Sequence, residues 1–407
     1  MARMNPTADP RVTIRDGLCV ARPDGDVWSD LKKSLELEPA ATHLVLGGIG
    51  SGKTTQLLLA SDALRGALDE VGDHVEYCDV STHHHLEASQ SSGILIALAG
   101  RLLQRGLRFR RGTVKEVREA SESLSRFADG FTMWIDYDPN HQPDDDSGLD
   151  DGLDPSGNGL QYSEHRPGVL TPPPTAILPL NLKRRANDLK VLVRHRFGPD
   201  RSVLLFLDAL DRLPKPETFV TMVQHDLRIL QQVGIGTVVV GPIRYIVGDD
   251  RGLAELFDHT HFQLDVDPRS EPGAAFLSEI LRRRDGECAL LSPECMSELA
   301  RASGGKLRDL LTLAKRAAED AYTDGRAEVT VEDVAHASDA MGRSLAIGLD
   351  DAQIKQLKKV DQTEKLVFRT VRELSLLETR RVILYKDNRC VVHPALAPVL
   401  GLIPEGV

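Results

Sequence analysis

Residues 42–59 read THLVLGGIGSGKTTQLLL, and the fold turns on this stretch. The apolar run Leu44 to Leu46 predicts a buried strand. Gly47-Gly48-Ile49-Gly50-Ser51-Gly52-Lys53-Thr54 predicts a glycine-rich loop, and from Thr55 the apolar residues recur at helical spacing. Strand, glycine loop and helix in that order make a phosphate-binding P-loop, and the loop matches GxxxxGK[ST] in full. Its backbone N–H groups, with Gly48, Gly50, Ser51, Gly52, Lys53, Thr54 and Thr55 as the candidate binding residues, would cradle a polyphosphate at the positive end of the helix. Lys53 is placed to reach the β- and γ-phosphates, and Thr54 to offer its hydroxyl to Mg²⁺.

A second acidic motif lies far downstream. Ser202-Val203-Leu204-Leu205-Phe206-Leu207-Asp208-Ala209-Leu210-Asp211-Arg212 is an apolar strand ending in a carboxylate, the Walker B pattern. Ligands sit at the carboxyl ends of strands in open α/β sheets, so Asp208 would face the P-loop and hold Mg²⁺. Asp211 is a second carboxylate one short turn on. The wide separation from Lys53 is explained by an acidic, Gly- and Pro-rich insertion at about 130–180, which cannot form a core and reads as a solvated linker. Its aspartates lack EF-hand spacing.

At 407 residues the chain is too long for one ordinary core. Its 41% hydrophobic content is that of a soluble globular protein, and no run approaches the roughly 18 apolar residues of a membrane span. The first residues lack the apolar core of a signal peptide. Five cysteines without a CxxC pair signal neither a disulfide framework nor a zinc site, so a reducing cytoplasm is expected. A net charge of −11 excludes a globally basic nucleic-acid coat, though not a local basic patch.

Taken in order, residues 1–41 form an N-terminal segment with a short helix near Asp26 to Leu31, where Val27 or Trp28 either touches a base or packs on the core. Residues 42–267 form the P-loop core. In it, His74 to Val80 alternates like a strand, with Asp79 and Ser81 at its end, and His83-His84-His85 follows as a polar loop. A basic knot (Arg105, Arg108, Arg110, Arg111) leads into a charged helical stretch, Val114 to Phe127. Gly236 to Gly241 is a further buried strand ending near Arg244, which is either a γ-phosphate sensor or a surface arginine. Phe262 to Val266 is expected as the last strand. Residues 268–345 are amphipathic helices, a lid. In 346–407 a lysine- and arginine-rich helix, Ile354 to Leu377, precedes a hairpin turning at Lys386-Asp387-Asn388, and His393 to Leu396 opens a short terminal helix. Helices followed by a hairpin suggest a winged-helix-like module.

The order of P-loop, Walker B, sensor strand and lid resembles AAA+ ATPases, and more narrowly the STAND group of signalling ATPases. Ser303-Gly304-Gly305-Lys306-Leu307-Arg308-Asp309-Leu310-Leu311 is similar to the sensor 2 region of AAA+ lids, notably in the origin-recognition branch. There an arginine reaches the γ-phosphate, a role the resemblance gives to Arg308. Asp208-Ala209-Leu210-Asp211 resembles the NACHT form of Walker B, and Val392-His393-Pro394-Ala395-Leu396 the histidine motif with which STAND proteins hold ADP. The fold class implied is an α/β, AAA+-like P-loop NTPase core with a helical lid and a C-terminal winged-helix-like module.

One departure bears on mechanism. Most AAA+ motors carry glutamate after the Walker B aspartate to orient water, and here Ala209 stands there, leaving Asp211 as a substitute or hydrolysis slow. The resemblance therefore implies a slow ATP/ADP switch acting as a homo-oligomer or with a separate effector protein, as in bacterial stress or anti-phage signalling. A second expectation is an origin-recognition-like or transposition-regulator-like ATPase binding DNA through Lys355, Lys358, Lys359, Arg380, Arg381, Lys386 and Arg389. A small-molecule kinase is disfavoured, because no acceptor-binding pattern accompanies the lid.

Overall fold

The computed structural model describes residues 2–68, 74–83, 93–105, 107, 114–129, 178–198, 201–213, 216–246, 253, 255–286, 289–366 and 370–402. His84, His85, Arg108, Arg110, Arg111 and most of the expected insertion lie outside them.

Two helices, α1 (Pro10–Arg15) and α2 (Val27–Leu37), precede strand β1 (Thr42–Leu46) and helix α3 (Lys53–Leu68). Strand β2 (His74–Asp79) runs into the short α4 (Val80–His83), followed by α5 (Ile94–Gln104), α6 (Lys115–Asp129) and α7 (Leu178–Phe197). Then come β3 (Val203–Asp208), α8 (Pro216–Val233), β4 (Ile235–Gly241) and β5 (His259–Phe262). These strands form one parallel sheet in the order β2-β3-β4-β1-β5. Parallel strands covered on both faces must be apolar on both, and β1, β3 and β4 are buried along their whole length. Leu44, Leu205, Leu207 and Val239 pack with α5–α8 on one face, and Val45, Leu204, Phe206 and Val240 with α2 and α3 on the other. Trp28 joins the second group and packs on the core.

The last strand lies earlier than the expected Phe262 to Val266. Its pairing with β1 ends at Leu46↔Phe262, because β1 itself gives way to the glycine loop. One more bond, from Gln263 N to Leu46 O at 2.7 Å, closes the ladder before the chain leaves for the lid.

Helices α9 (Glu271–Asp285), α10 (Pro293–Ser303), α11 (Leu307–Thr323) and α12 (Val331–Ala346) share a separate apolar core, the lid. Beyond it, the single helix expected over 354–377 is two, α13 (Asp351–Thr363) and α14 (Val371–Glu378). Glu364 terminates the first in a left-handed conformation, and a Thr370–Glu373 capping box starts the second. The hairpin β6 (Val382–Leu384) and β7 (Cys390–Val392) is antiparallel, as expected, and turns at Pro394 to Ala397 lead into a single 3-10 turn, Pro398–Leu400, where a short terminal helix was expected to open at His393. The module's core includes Ile243 and Leu264, so it is packed onto the same end of the sheet as the P-loop. The expected architecture is observed as a parallel α/β core carrying the P-loop, a helical lid and a C-terminal module of helices and a hairpin. No helix among the described residues is long and apolar enough to cross a membrane.

Three histidines crowd the β1–β5 edge. His43 Nδ1 lies 2.9 Å from His261 Nε2, and the His43 ring stacks on those of His259 and His261. Burial, helped by the neighbouring imidazoles and opposed by Asp258, lowers His43 to about 3. Burial also lowers His261 to about 4, against the pull of Asp30. The unfolded chain binds protons at these positions below about pH 6.5 while the folded chain resists them. Stability is therefore expected to fall as pH drops from about 6.5 towards 4. Urea titrations across that range should show the loss, and His261→Phe should reduce it by about 3 kcal/mol. Equal pH slopes in the two proteins would contradict this account.

Candidate functional site

The P-loop joins the end of β1 to α3. Gly50 and Gly52 have φ of +87° and +93°, conformations that side chains rarely adopt. At Gly50 the space is also closed, since a Cβ there would lie 2.8 Å from the Arg308 Cβ. The lid helix α11 therefore sits directly on the loop, and Arg308 N donates to Gly50 O at 3.3 Å. The sequence-expected partners, Gly48 to Thr55 and Arg308, do come together.

Lys53 is buried and donates to Gly47 O at 2.9 Å and Gly48 O at 2.8 Å. Its ion-pair partner is Asp211, at 2.9 Å. Asp211, one of the two alternatives for the missing glutamate, is thus engaged by the lysine that the motif assigns to phosphate. Asp208, at the end of β3, accepts from Tyr77 Oη at 2.8 Å and from Ala209 N at 2.7 Å, and the Thr54 hydroxyl bonds to it as well. Burial raises its pKa, and the Thr54 and Tyr77 hydrogen bonds work against that rise. Ala209 itself has φ of +68°, a left-handed conformation uncommon outside glycine.

Thr54 and Asp208 form a hard-oxygen pair suited to Mg²⁺. The Ser51 Oγ, buried in the loop, has no hydrogen-bond partner among the described residues, which leaves it available to a bound phosphate. These residues fit a Mg²⁺-nucleotide. When bound, the ion would neutralise charge on the outer phosphates. Thr54 and Asp208 would hold it, while Lys53 and the loop N–H groups would bind and orient the phosphates.

Beside the loop lies a cavity of about 190 Å³ lined by Gly47, Ile49, Asp211, Pro242, Arg244 and Glu378 among others. Arg244 is at the tip of β4, as expected, and its side chain is only 11% exposed, which sets aside the surface-arginine alternative. Its Nε and Nη2 donate to Glu378 at 2.5 and 2.7 Å, a two-point bond to the C-terminal module. Arg308 is half-buried, and among the described residues no ion pair is formed by its guanidinium. Burial lowers its pKa, and nearby Arg212 and Arg380 lower it further.

His393 is placed differently from the nucleotide contact that the STAND motif implied. It is fully buried, does not line the cavity, and bonds to Asp309 Oδ2 at 3.3 Å. Its Nδ1 accepts from Ala395 N at 3.2 Å, so Nε2 carries the proton and donates to Asp309. Burial pushes the Asp309 carboxyl up, but His393 and Arg380 outweigh it and the pKa is lowered. The C-terminal module thus grips the residue next to Arg308.

Sequence reasoning missed four participants. Lys306, at the N-cap of α11, is 1% exposed and pairs with Asp265 at 2.6 Å, its Nζ lying against Gly48. Asp265 and Lys306 are legible only as neighbours of the glycine pair and of the last strand. Tyr77 and Glu378 carry no local signature.

No model of a known protein family matches the chain, and no curated protein matches it. Among solved structures it is similar to the Aeropyrum pernix ORC2 protein in ADPNP–ADP complexes, with a TM-score of 0.44 at 14% identity over 94% of this chain and 93% of that one. It is similar to the Aeropyrum pernix ORC1 protein in complex with DNA, with a TM-score of 0.45 at 15% identity over 97% and 96% of the two chains. The Thermotoga maritima RuvB Holliday junction branch migration motor gives a TM-score of 0.38 at 14% identity over 95% and 99%. Likeness of this degree does not extend to what those proteins bind.

Proposed function

We propose that this AAA+-like P-loop protein is an ATP-binding, slowly hydrolysing switch whose C-terminal module is released or retained according to the nucleotide held. The observation that carries this reading is the Arg244–Glu378 bond, made inside the cavity beside the P-loop. In this arrangement Lys53, Lys306 and Arg244 are each neutralised by a carboxylate, Asp211, Asp265 and Glu378. A third phosphate would compete with Glu378 for Arg244 and would draw the guanidinium of Arg308. ADP, one phosphate shorter, would leave the Arg244–Glu378 bond in place. A ligand shifts an equilibrium only by its differential affinity for the two states, and this competition supplies such a difference.

Hydrolysis is slow in this reading because Ala209 offers no carboxylate and Asp211 is engaged by Lys53. The released form would assemble with itself or with a separate effector protein. A STAND-type role in stress or anti-phage signalling rests on family analogy. Glu378→Gln is expected to shift the ATP-to-ADP affinity ratio towards ATP by about tenfold. Competition binding measures the ratio, and particle mass with each nucleotide reports assembly. An unchanged ratio would remove the latch, and absence of nucleotide binding would remove the whole reading.

A second reading, an ATPase that binds DNA through its C-terminal module, is favoured by one observation: Lys355, Lys358 and Lys359 are exposed on α13. The other candidates are engaged within the chain. Arg380 pairs with Asp309, Arg381 donates to Leu345 O and Ile347 O, Lys386 to Asp24 O, and Arg389 pairs with Asp267. DNA affinity falling with salt at a slope of about three phosphate contacts would support this reading, and no binding at low salt would sink it.

A further inference from the structure

We infer that Tyr77 is a positioning residue that fixes the Asp208 carboxylate in its metal-binding orientation, an inference that rests on the Mg²⁺-nucleotide reading above. The register of β2 on β3 sets Tyr77 opposite Phe206 and Asp79 opposite Asp208. From there the phenol reaches along the sheet face and donates to Asp208 Oδ2 at 2.8 Å. The Arg11 guanidinium lies over the ring, 5.6 Å from its centroid.

Among the described residues Asp208 receives three donors, and they differ in kind. Thr54 belongs to the P-loop and is the donor that a metal would share. Ala209 N binds Oδ1 at 2.7 Å from the carboxylate's own chain neighbour. Tyr77 binds the opposite oxygen, so the two non-ligand donors grip the carboxylate from both ends and set its plane. A partner behind a metal ligand orients it and tunes its affinity. Tyr77 is the one side chain outside the P-loop that does this here among the described residues. The ring's contact with Arg11 carries the same orientation out to helix α1.

The alternative is a phenol that merely satisfies a buried carboxylate. The two roles separate in a measurement of metal linkage. A fluorescent ADP analogue is titrated onto the full chain in EDTA and then across a Mg²⁺ series. Tyr77→Phe keeps the ring and removes only the hydroxyl. It is expected to bind nucleotide in EDTA as the wild type does, but to need about tenfold more Mg²⁺ for half-maximal tightening. An unchanged Mg²⁺ midpoint overturns the inference, whatever happens to thermal stability. A wild-type protein whose nucleotide binding ignores Mg²⁺ would instead overturn the reading beneath it. Should Tyr77→Phe not fold, Arg11→Gln leaves the phenol in place but unsupported. It is expected to move the midpoint by about threefold, and no movement there overturns the inference equally.

Discussion

Lys53→Met is expected to weaken nucleotide binding by at least about a hundredfold. Two charge-assisted contacts to phosphate are worth about 1.5–3 kcal/mol each, which together span about a hundredfold to ten-thousandfold in affinity. The structure adds a second effect that the motif alone does not foresee. Lys53 neutralises Asp211, whose side chain is only 8% exposed. Methionine leaves that carboxylate buried and unpaired, so the nucleotide-free protein is expected to lose about 1–3 kcal/mol of stability as well. The double variant Lys53→Met with Asp211→Asn separates the two effects. It should recover stability in a denaturant titration, while binding of labelled nucleotide stays lost. Recovery of binding in the double variant would mean that Lys53 acts through Asp211 and not on phosphate.

That separation marks where the sequence stops being legible. The P-loop, Asp208 and the sheet could be read because each is a local pattern: an apolar strand, a glycine loop, a helix, an acid at a strand end. Arg308 could be read because a glycine pair marks the start of its helix. The partners of these residues come from distant parts of the chain. Tyr77 and Asp208 are 131 positions apart, and Arg244 and Glu378 are 134 apart. Nothing in the neighbourhood of Glu378 distinguishes it from any other glutamate on a helix surface. The misplaced last strand has the same origin, because its end is set by where β1 turns into the loop and not by its own alternation. The helix expected over 354–377 failed for a local reason: a capping box at Thr370 and a left-handed Glu364 divide it. His393 shows a third kind of limit. Burial against Asp309 gives it a lid residue as partner where the family motif implied a nucleotide.

The other large effect belongs to Lys306 and Asp265. Both side chains are 2% exposed, and their 2.6 Å bond joins the start of the lid to the segment leaving β5. Asp265 Oδ1 has no hydrogen-bond partner among the described residues, so the carboxylate depends on Lys306 for its compensation. Breaking a buried pair by removing one member costs about 3–5 kcal/mol, whereas removing both can be nearly neutral. Lys306→Met is therefore expected to lower the melting temperature by about ten degrees, and Lys306→Met with Asp265→Leu to restore most of it. Identical melting of wild type and single variant would show that the pair is not what holds the lid there. The double variant also decides what else Lys306 does. Its Nζ lies against Gly48, at the mouth of the loop that Lys53 serves. If Lys306 only fastens the lid, restored melting should bring nucleotide affinity back with it. If it also faces phosphate, the double variant will melt like the wild type and still bind nucleotide weakly, because a neutral pair can replace an ion pair in packing but not in attracting an anion.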